Sequence, residues 1–312
     1  MLERSADALR QYIDAVATFE AWEEALKDAE QVRGGMYWHK GPGTDYLVRT
    51  SAAGSEKSLG PRSAQTETLY EAFRQRKSQA QSRLAGLKEA VARHKRMNRA
   101  LRVGRVAPLV VQILRRLSES RLADHFRVVG THALYAYEAA AGVAFDNEAV
   151  ASRDIDLLWD VRRRVAFATA LGRMDSSMLG VLHKVDATFK VRRTQKYTAV
   201  NQDGFEVDII RRMKQADDPH PVRLSPDEDD FWVAQAPRAQ DLLDAPGFTA
   251  VIVATDGDMA RMNTLHPLAF ASFKRWMSGL KDRDALKRRR DALQAQVVER
   301  VVRDYLPQLQ TP

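Results

Sequence analysis

The segment "SRDIDLLWD", residues 152–160, is the feature that most constrains how this chain can fold. Its run of isoleucine, leucine and tryptophan predicts a buried strand. Asp154 and Asp156 stand at the start of that run, and residues two apart in a strand point to the same face. Two like charges on one face of a buried strand repel each other, so the fold must offset them with protons, cationic side chains or a metal ion. The segment therefore predicts a functional site.

A second acidic strand lies downstream, in "FEVDII" at residues 205–210. Phe205, Val207 and Ile209 face one side, while Glu206 and Asp208 face the other. The dipeptide Asp203-Gly204 predicts a hairpin that leads into this strand. If this strand neighbours the first one, three or four carboxylates meet beside the core. Oxygen ligands without a histidine favour a hard cation, and Mg²⁺ fits best because it leaves coordination positions open for phosphate oxygens.

A glycine precedes both acidic strands. "FRVVG", residues 126–130, predicts a short strand that ends in glycine, and "THALYAYEAA" predicts a helix that begins at Thr131. The free backbone N–H groups of a helix start attract phosphate, and the missing side chain of Gly130 lets phosphate come close. A phosphate site beside an acidic metal site predicts phosphoryl or nucleotidyl transfer.

The rest of the chain is largely helical. Apolar periodicity predicts an N-terminal helix, a long polar helix and two C-terminal helices, with a hairpin and a polar loop between the first two. The predicted ranges are 5–33, 36–50 for the hairpin, 51–63 for the loop, 64–101, 267–280 and 282–306. We predict an α+β fold in which helical regions flank a mixed sheet. Its expected regions are 1–105, 106–262 and 263–312.

The composition excludes several classes of protein. The chain of 312 residues has no cysteine, which removes disulfides, thiol catalysis and cysteine-bound zinc. No apolar run approaches the ~18 residues that a membrane span needs, and the charged N-terminus lacks the apolar core of a signal peptide. We therefore expect a cytoplasmic protein without a membrane partner.

The charge balance points to an anionic partner. The net charge is +8, and basic residues cluster at 93–105 and 281–290. Such clusters favour nucleotides or RNA. The alternative is that lysine and arginine simply solvate long helices.

Three segments together resemble the DNA polymerase beta-like nucleotidyltransferase superfamily. They are "VVGTHALYAYE", "RDIDLLWD" and "EVDII", within residues 124–212. The family usually has Gly-Ser or Gly-Gly where this chain has Gly130-Thr131, which keeps the hydroxyl. Residues 266–291 are similar to the helical tail of the abortive-infection group, in which a lysine precedes an Arg-Asp-rich segment. Residues 36–63 are similar to uncharacterised bacterial proteins of the same fold.

The resemblance implies roles for particular residues. Asp154 and Asp156 would hold two Mg²⁺ ions, and Asp208 would complete the catalytic ion site and help to deprotonate the attacking hydroxyl. Gly130, Thr131 and Lys274 would bind the triphosphate. Ser152 and Arg153 would reach the leaving pyrophosphate.

The implied activity is transfer of a nucleoside monophosphate from an NTP, with ATP among the candidates, to an acceptor hydroxyl. RNA, a protein hydroxyl and a small molecule all stay open as acceptors, and so does the oligomeric state. The alternative is a non-catalytic binding module of the same fold, for example a toxin–antitoxin or defence component. The intact aspartates favour the enzyme.

Overall fold

The computed structural model describes residues 1–174 and 176–310. The chain divides into two compact units, one of residues 10–101 and the other of residues 1–9 with the chain from Arg102 onward. The second unit contains both the central sheet and the last two helices. The three-region division expected from the sequence stays a prediction.

Within the described residues, the elements mix helices and strands. The helices are α1 (Ala6–Gln31), α2 (Ala64–Ala100), α3 (Pro108–Glu119), α4 (Leu134–Ala141), α5 (Asn147–Val150), α6 (Arg164–Gly172), α7 (Met178–His183), α8 (Ala239–Asp244), α9 (Pro267–Ser278) and α10 (Ala285–Tyr305). The strands are β1 (Leu2–Glu3), β2 (Gly35–Lys40), β3 (Asp45–Thr50), β4 (Glu56–Pro61), β5 (Phe126–Val129), β6 (Val143–Ala144), β7 (Asp154–Trp159), β8 (Lys190–Val191), β9 (Thr198–Val200), β10 (Glu206–Arg212), β11 (Ala234–Ala236), β12 (Gly247–Val253) and β13 (Met259–Leu265). The α+β prediction is confirmed.

The unit of residues 10–101 is a helical hairpin with a small sheet. α1 and α2 pair through a polar contact in which Gln11 Nε2 lies 2.9 Å from Asn98 Oδ1 and 3.0 Å from His94 Nδ1. Ser63 caps α2, since its hydroxyl accepts a hydrogen bond from the N–H of Thr66 at 3.3 Å.

The polar loop expected at 51–63 is wrong in part, because residues 56–61 form β4. β2, β3 and β4 make an antiparallel sheet in which β4 is an edge strand. Most of β4 is exposed, so its sequence lacks the alternation of apolar and polar residues that marks a half-buried strand. β4 forms because its backbone pairs with β3, and this pairing leaves no recognisable pattern in the local amino-acid sequence.

The central sheet of the other unit has the strand order β5-β7-β10-β9-β8. β5 runs antiparallel to β7, β7 runs parallel to β10, and β9 runs antiparallel to β10, while β11 extends the sheet beside the end of β10. The predicted hairpin around Asp203-Gly204 joins β9 to β10.

The two faces of this sheet carry separate cores. The inward residues of β7 and β10, among them Leu157 and Ile209, pack with α3, α6 and α7. On the opposite face, Leu158 packs with α4, α9 and α10. The aspartates of β7 share this second face, so the C-terminal helices cover the same side of the sheet as the acidic residues.

The buried hydroxyl of Tyr137 links α4 to β13. Tyr137 is fully buried, and its hydroxyl donates to the carbonyl oxygen of Leu265 at 2.9 Å. We expect Tyr137→Phe to lower the free energy of unfolding by about 1–2 kcal/mol, because the buried carbonyl loses its partner. Urea unfolding measures the change. Tyr135→Phe is the control, since the Tyr135 hydroxyl makes no hydrogen bond within the described residues; equal losses for both variants would contradict the prediction.

Candidate active site

Strand register brings the acidic residues together. In the parallel pair of β7 and β10, Asp154 lies opposite Glu206 and Asp156 lies opposite Asp208. Carboxylate oxygens of Asp154, Asp156 and Asp208 lie within 4.8 Å of one another, and all three residues are half-buried. Glu206 instead forms an ion pair with Arg192. Three carboxylates from two neighbouring strands therefore share one small volume.

Burial and mutual repulsion disfavour the ionised state of this cluster. Burial and, to a smaller extent, the negative charges of Asp154 and Asp208 together raise the pKa of Asp156 to about 7. Lys274 and Arg283 act in the opposite direction on the same carboxyl. The pKa of Asp208 is also raised, chiefly by burial. The site thus lacks enough positive charge of its own to ionise fully.

Two hydroxyls orient the carboxylates. Thr198, on β9, donates to Oδ1 of Asp208 at 2.5 Å, and this bond favours the ionised form. Ser152 donates to Oδ1 of Asp154. Ser152 therefore contacts a carboxylate of the cluster.

Gly130 lies against Asp156. Its φ of +72° is in the region that favours glycine, and a Cβ built at this position would stand 2.1 Å from Oδ2 of Asp156. The residues that follow form a short 3₁₀ turn, Thr131–Ala133, before α4 begins at Leu134. The glycine bend and the acidic cluster therefore adjoin each other.

Thr131 is buried beside α10. Its hydroxyl accepts a hydrogen bond from Nε2 of Gln294 at 3.1 Å, and the same amide donates to the carbonyl of Ala149 at 2.7 Å. Gln294 is fully buried. The last helix therefore holds the hydroxyl of Thr131 in place.

Lys274 lies in a buried ion network behind Asp156. Its Nζ lies 2.9 Å from Oδ1 of Asp291, and Nε of Arg283 lies 2.5 Å from Oδ2 of the same residue. Lys274 is only 4% exposed and Asp291 is fully buried. Burial lowers the pKa of Lys274, although Asp291 and Asp156 oppose that shift. One carboxylate thus orients two cations whose charges also act on Asp156.

Arg153 lies elsewhere than the other expected residues. Its side chain is exposed, and its guanidinium donates to the backbone carbonyl of Asp203 in the turn before β10. Contact with a leaving pyrophosphate would require this side chain to leave the turn.

Sequence reasoning did not single out three residues of this site, namely Thr198, Asp291 and Gln294. Asp291 carried a weak signal, because it is a lone acid at the end of the basic run "KRRRD". Thr198 and Gln294 resemble ordinary strand and helix residues, so only the tertiary structure identifies them.

The donor set fits a divalent cation. Three carboxylates offer oxygen ligands to one point, and the raised pKa of Asp156 shows that the like charges need compensation. Hard cations such as Mg²⁺ and Mn²⁺ match these ligands. Asp154, Asp156 and Asp208 are the residues that could hold such an ion.

Comparison with known proteins gives one match. A family model described as "Nucleotidyltransferase" matches residues 109–311, which is more than half of the chain. The matched range includes the glycine bend, the three aspartates and the network around Lys274. No curated protein and no solved structure matches the chain. In the part of the chain that the structure describes, no helix is both long and apolar enough to span a bilayer.

The acidic cluster predicts a pH-dependent stability. The folded-state pKa of Asp156 is about 7, against an ordinary value of 3.8, so the metal-free folded protein retains a proton that the unfolded chain loses. Its free energy of unfolding must therefore fall as pH rises from about 4 to about 7, by at most about 4 kcal/mol. Asp156→Asn should flatten this slope. Urea unfolding in a chelator between pH 5 and 8 measures it; parallel slopes for the two proteins would contradict the assignment.

The close approach at Gly130 predicts that any side chain there disturbs the cluster. Gly130→Ala should weaken Mg²⁺ or Mn²⁺ binding at least tenfold, because the added Cβ displaces the carboxylate of Asp156. Isothermal titration calorimetry measures the affinity, and circular dichroism checks the fold. Gly172→Ala is the matched control, since a Cβ there meets nothing within 4 Å. Wild-type affinity in Gly130→Ala would count against the predicted geometry.

Proposed function

This chain belongs to the nucleotidyltransferase family whose model it matches, and we propose that it transfers a nucleoside monophosphate from an NTP to an acceptor hydroxyl with release of pyrophosphate. The transfer depends on divalent cations, with Mg²⁺ as the physiological choice. The observation that carries this proposal is the register of β7 and β10, which gathers three carboxylates beside a glycine bend.

The three aspartates would hold the metal. Asp154 and Asp156 on one strand and Asp208 on its neighbour would supply the carboxylate ligands of two divalent ions. Bound at this site, the ions would neutralise phosphate charge and stabilise both the entering and the leaving oxygens. Ser152 and Thr198 keep two of the carboxylates in fixed orientations through their hydroxyl hydrogen bonds.

The NTP lies between the glycine bend and the buried cations. The carboxylate of Asp156 occupies the space that a side chain at Gly130 would take, so the glycine bend adjoins the metal ligands, and the hydroxyl of Thr131 is held by Gln294. Lys274 supplies positive charge from the side of α9, and Asp291 keeps its ammonium group oriented. These contacts support binding of the triphosphate at this edge of the sheet.

The reaction forms one bond and breaks one. The acceptor oxygen bonds to the α-phosphorus, the bond from that phosphorus to the bridging oxygen breaks, and pyrophosphate leaves with the bond's electron pair. The acceptor's proton passes to Asp208, whose pKa burial raises, and a raised pKa makes this carboxylate a stronger base than an ordinary aspartate. Because the chemistry consists mainly of orientation and charge neutralisation, few side chains need to react.

The test is label transfer from α-³²P-labelled NTPs with Mg²⁺, offered separately to purified cellular RNA and to a protein fraction. Wild-type protein should label one fraction, and Asp154→Asn should reduce labelling at least a hundredfold, because one of the three ligands loses its charge. Asp7→Asn, at an exposed acid on α1, is the matched control and should keep wild-type activity.

Two outcomes would overturn the proposal. One is label transfer that Asp154→Asn leaves intact, which would exclude the acidic cluster as the catalytic site. The other is no transfer from any of the four NTPs to either fraction while RNA binding persists without Mg²⁺, which would favour a non-catalytic binding module.

A further inference from the structure

Four basic residues on α2 form an exposed stripe in the unit of residues 10–101. They are Lys88, Arg93, Arg96 and Arg99, and we call them the α2 stripe. Each is exposed, and among residues 1–174 and 176–310 none of the four forms an ion pair with a carboxylate. Over this part of the helix, Glu89 is the single acidic residue. The stripe is therefore a local concentration of uncompensated positive charge.

The helix points these cations away from its packed side. The side of α2 that contains His94 and Asn98 contacts Gln11 and Thr18 on α1, through hydrogen bonds of 2.9 to 3.2 Å. Residues three apart are neighbours on a helix surface, so Arg93, Arg96 and Arg99 form a row. Lys88, eight residues before Arg96, lies on the same side of the helix. At 1.5 Å per residue the stripe is about 17 Å long.

Some other arginines of the same unit are instead neutralised by acids. Arg62 pairs with Glu67 at 2.9 Å, and Arg83 pairs with Asp28 at 2.8 Å. Arg76 on α2 also forms no ion pair with a described residue, but it stands alone between the paired Arg74 and Arg83, whereas the arginines of the stripe are consecutive. The distribution of acids therefore marks the last third of α2 as a surface for an external anion.

We propose that the α2 stripe binds the phosphate backbone of an RNA acceptor. A row of cations about 17 Å long matches a chain of phosphates better than a single anion. Amphipathic helices that bind membranes insert an apolar face, but here the face opposite the stripe is covered by α1. The choice of RNA over DNA rests on the proposed function, in which RNA is the nucleic acid among the candidate acceptors.

The test compares two triple variants with the same change in charge on the same helix. Arg93→Gln with Arg96→Gln and Arg99→Gln removes three cations of the stripe. Arg74→Gln with Arg76→Gln and Arg83→Gln is the matched control. The probe is a fluorescein-labelled RNA hairpin with a free 3′-hydroxyl, and fluorescence anisotropy gives its Kd over a KCl series. A DNA hairpin of the same sequence and anionic lipid vesicles are measured alongside.

We expect the stripe variant to weaken RNA binding about tenfold or more at low salt and to reduce the slope of log affinity against log salt by about 2–3. The control variant should change the affinity less than threefold. Equal weakening in both variants, unchanged binding in the stripe variant, or equal or tighter binding of the DNA hairpin or the vesicles would overturn the proposal.

A second readout separates this proposal from the proposed function. If wild-type protein labels RNA and the stripe variant labels it equally well at subsaturating RNA, the stripe is not the acceptor surface, although the transferase stands. If no protein transfers label but the stripe variant alone loses RNA binding, the transferase proposal fails and the binding surface stands.

Discussion

Repulsion among three carboxylates in strand register is the constraint on which this site depends. β7 and β10 are parallel neighbours, so their backbone hydrogen bonds hold Asp156 opposite Asp208 and leave no freedom to separate them. The negative charge of the carboxylates must therefore be offset by groups that lie beside them. Burial and the negative charges of Asp154 and Asp208 raise the pKa of Asp156, which shows that the ionised cluster is not fully stabilised by its surroundings. A divalent cation is the partner that these oxygen ligands suit.

The last two helices also help to offset the negative charge of the acidic cluster. α9 and α10 cover the acidic face of the sheet and contribute Lys274, Arg283 and Asp291. Asp291 orients these two cations beside the three carboxylates of the sheet, so two positive charges against four negative ones offset the cluster only in part. The match of the family model through residue 311 is consistent with this arrangement, since the sheet and the helices form one compact unit.

The unit of residues 10–101 uses charge in a different way. Its helical hairpin includes a polar contact between Gln11 and Asn98, and α2 buries only Thr66, Phe73 and Asn98. Most of α2 is therefore exposed, and its sequence is free to carry surface charge. Acids neutralise Arg62 beside the small sheet and leave the α2 stripe unneutralised. Part of the net charge of +8 therefore lies on one surface, the α2 stripe.

The sequence alone determined the local features of the candidate site. Strand periodicity of two predicts that Asp154 and Asp156 share a face and that Asp208 faces away from its apolar neighbours, and Gly130 marks a bend. Only the tertiary structure decided which strands adjoin, that β4 pairs with β3, and that Asp291 reaches Lys274. Those contacts join residues that are far apart in the chain. A local pattern of side chains does not specify which distant strand will pair with a segment or which distant charged residue will contact it.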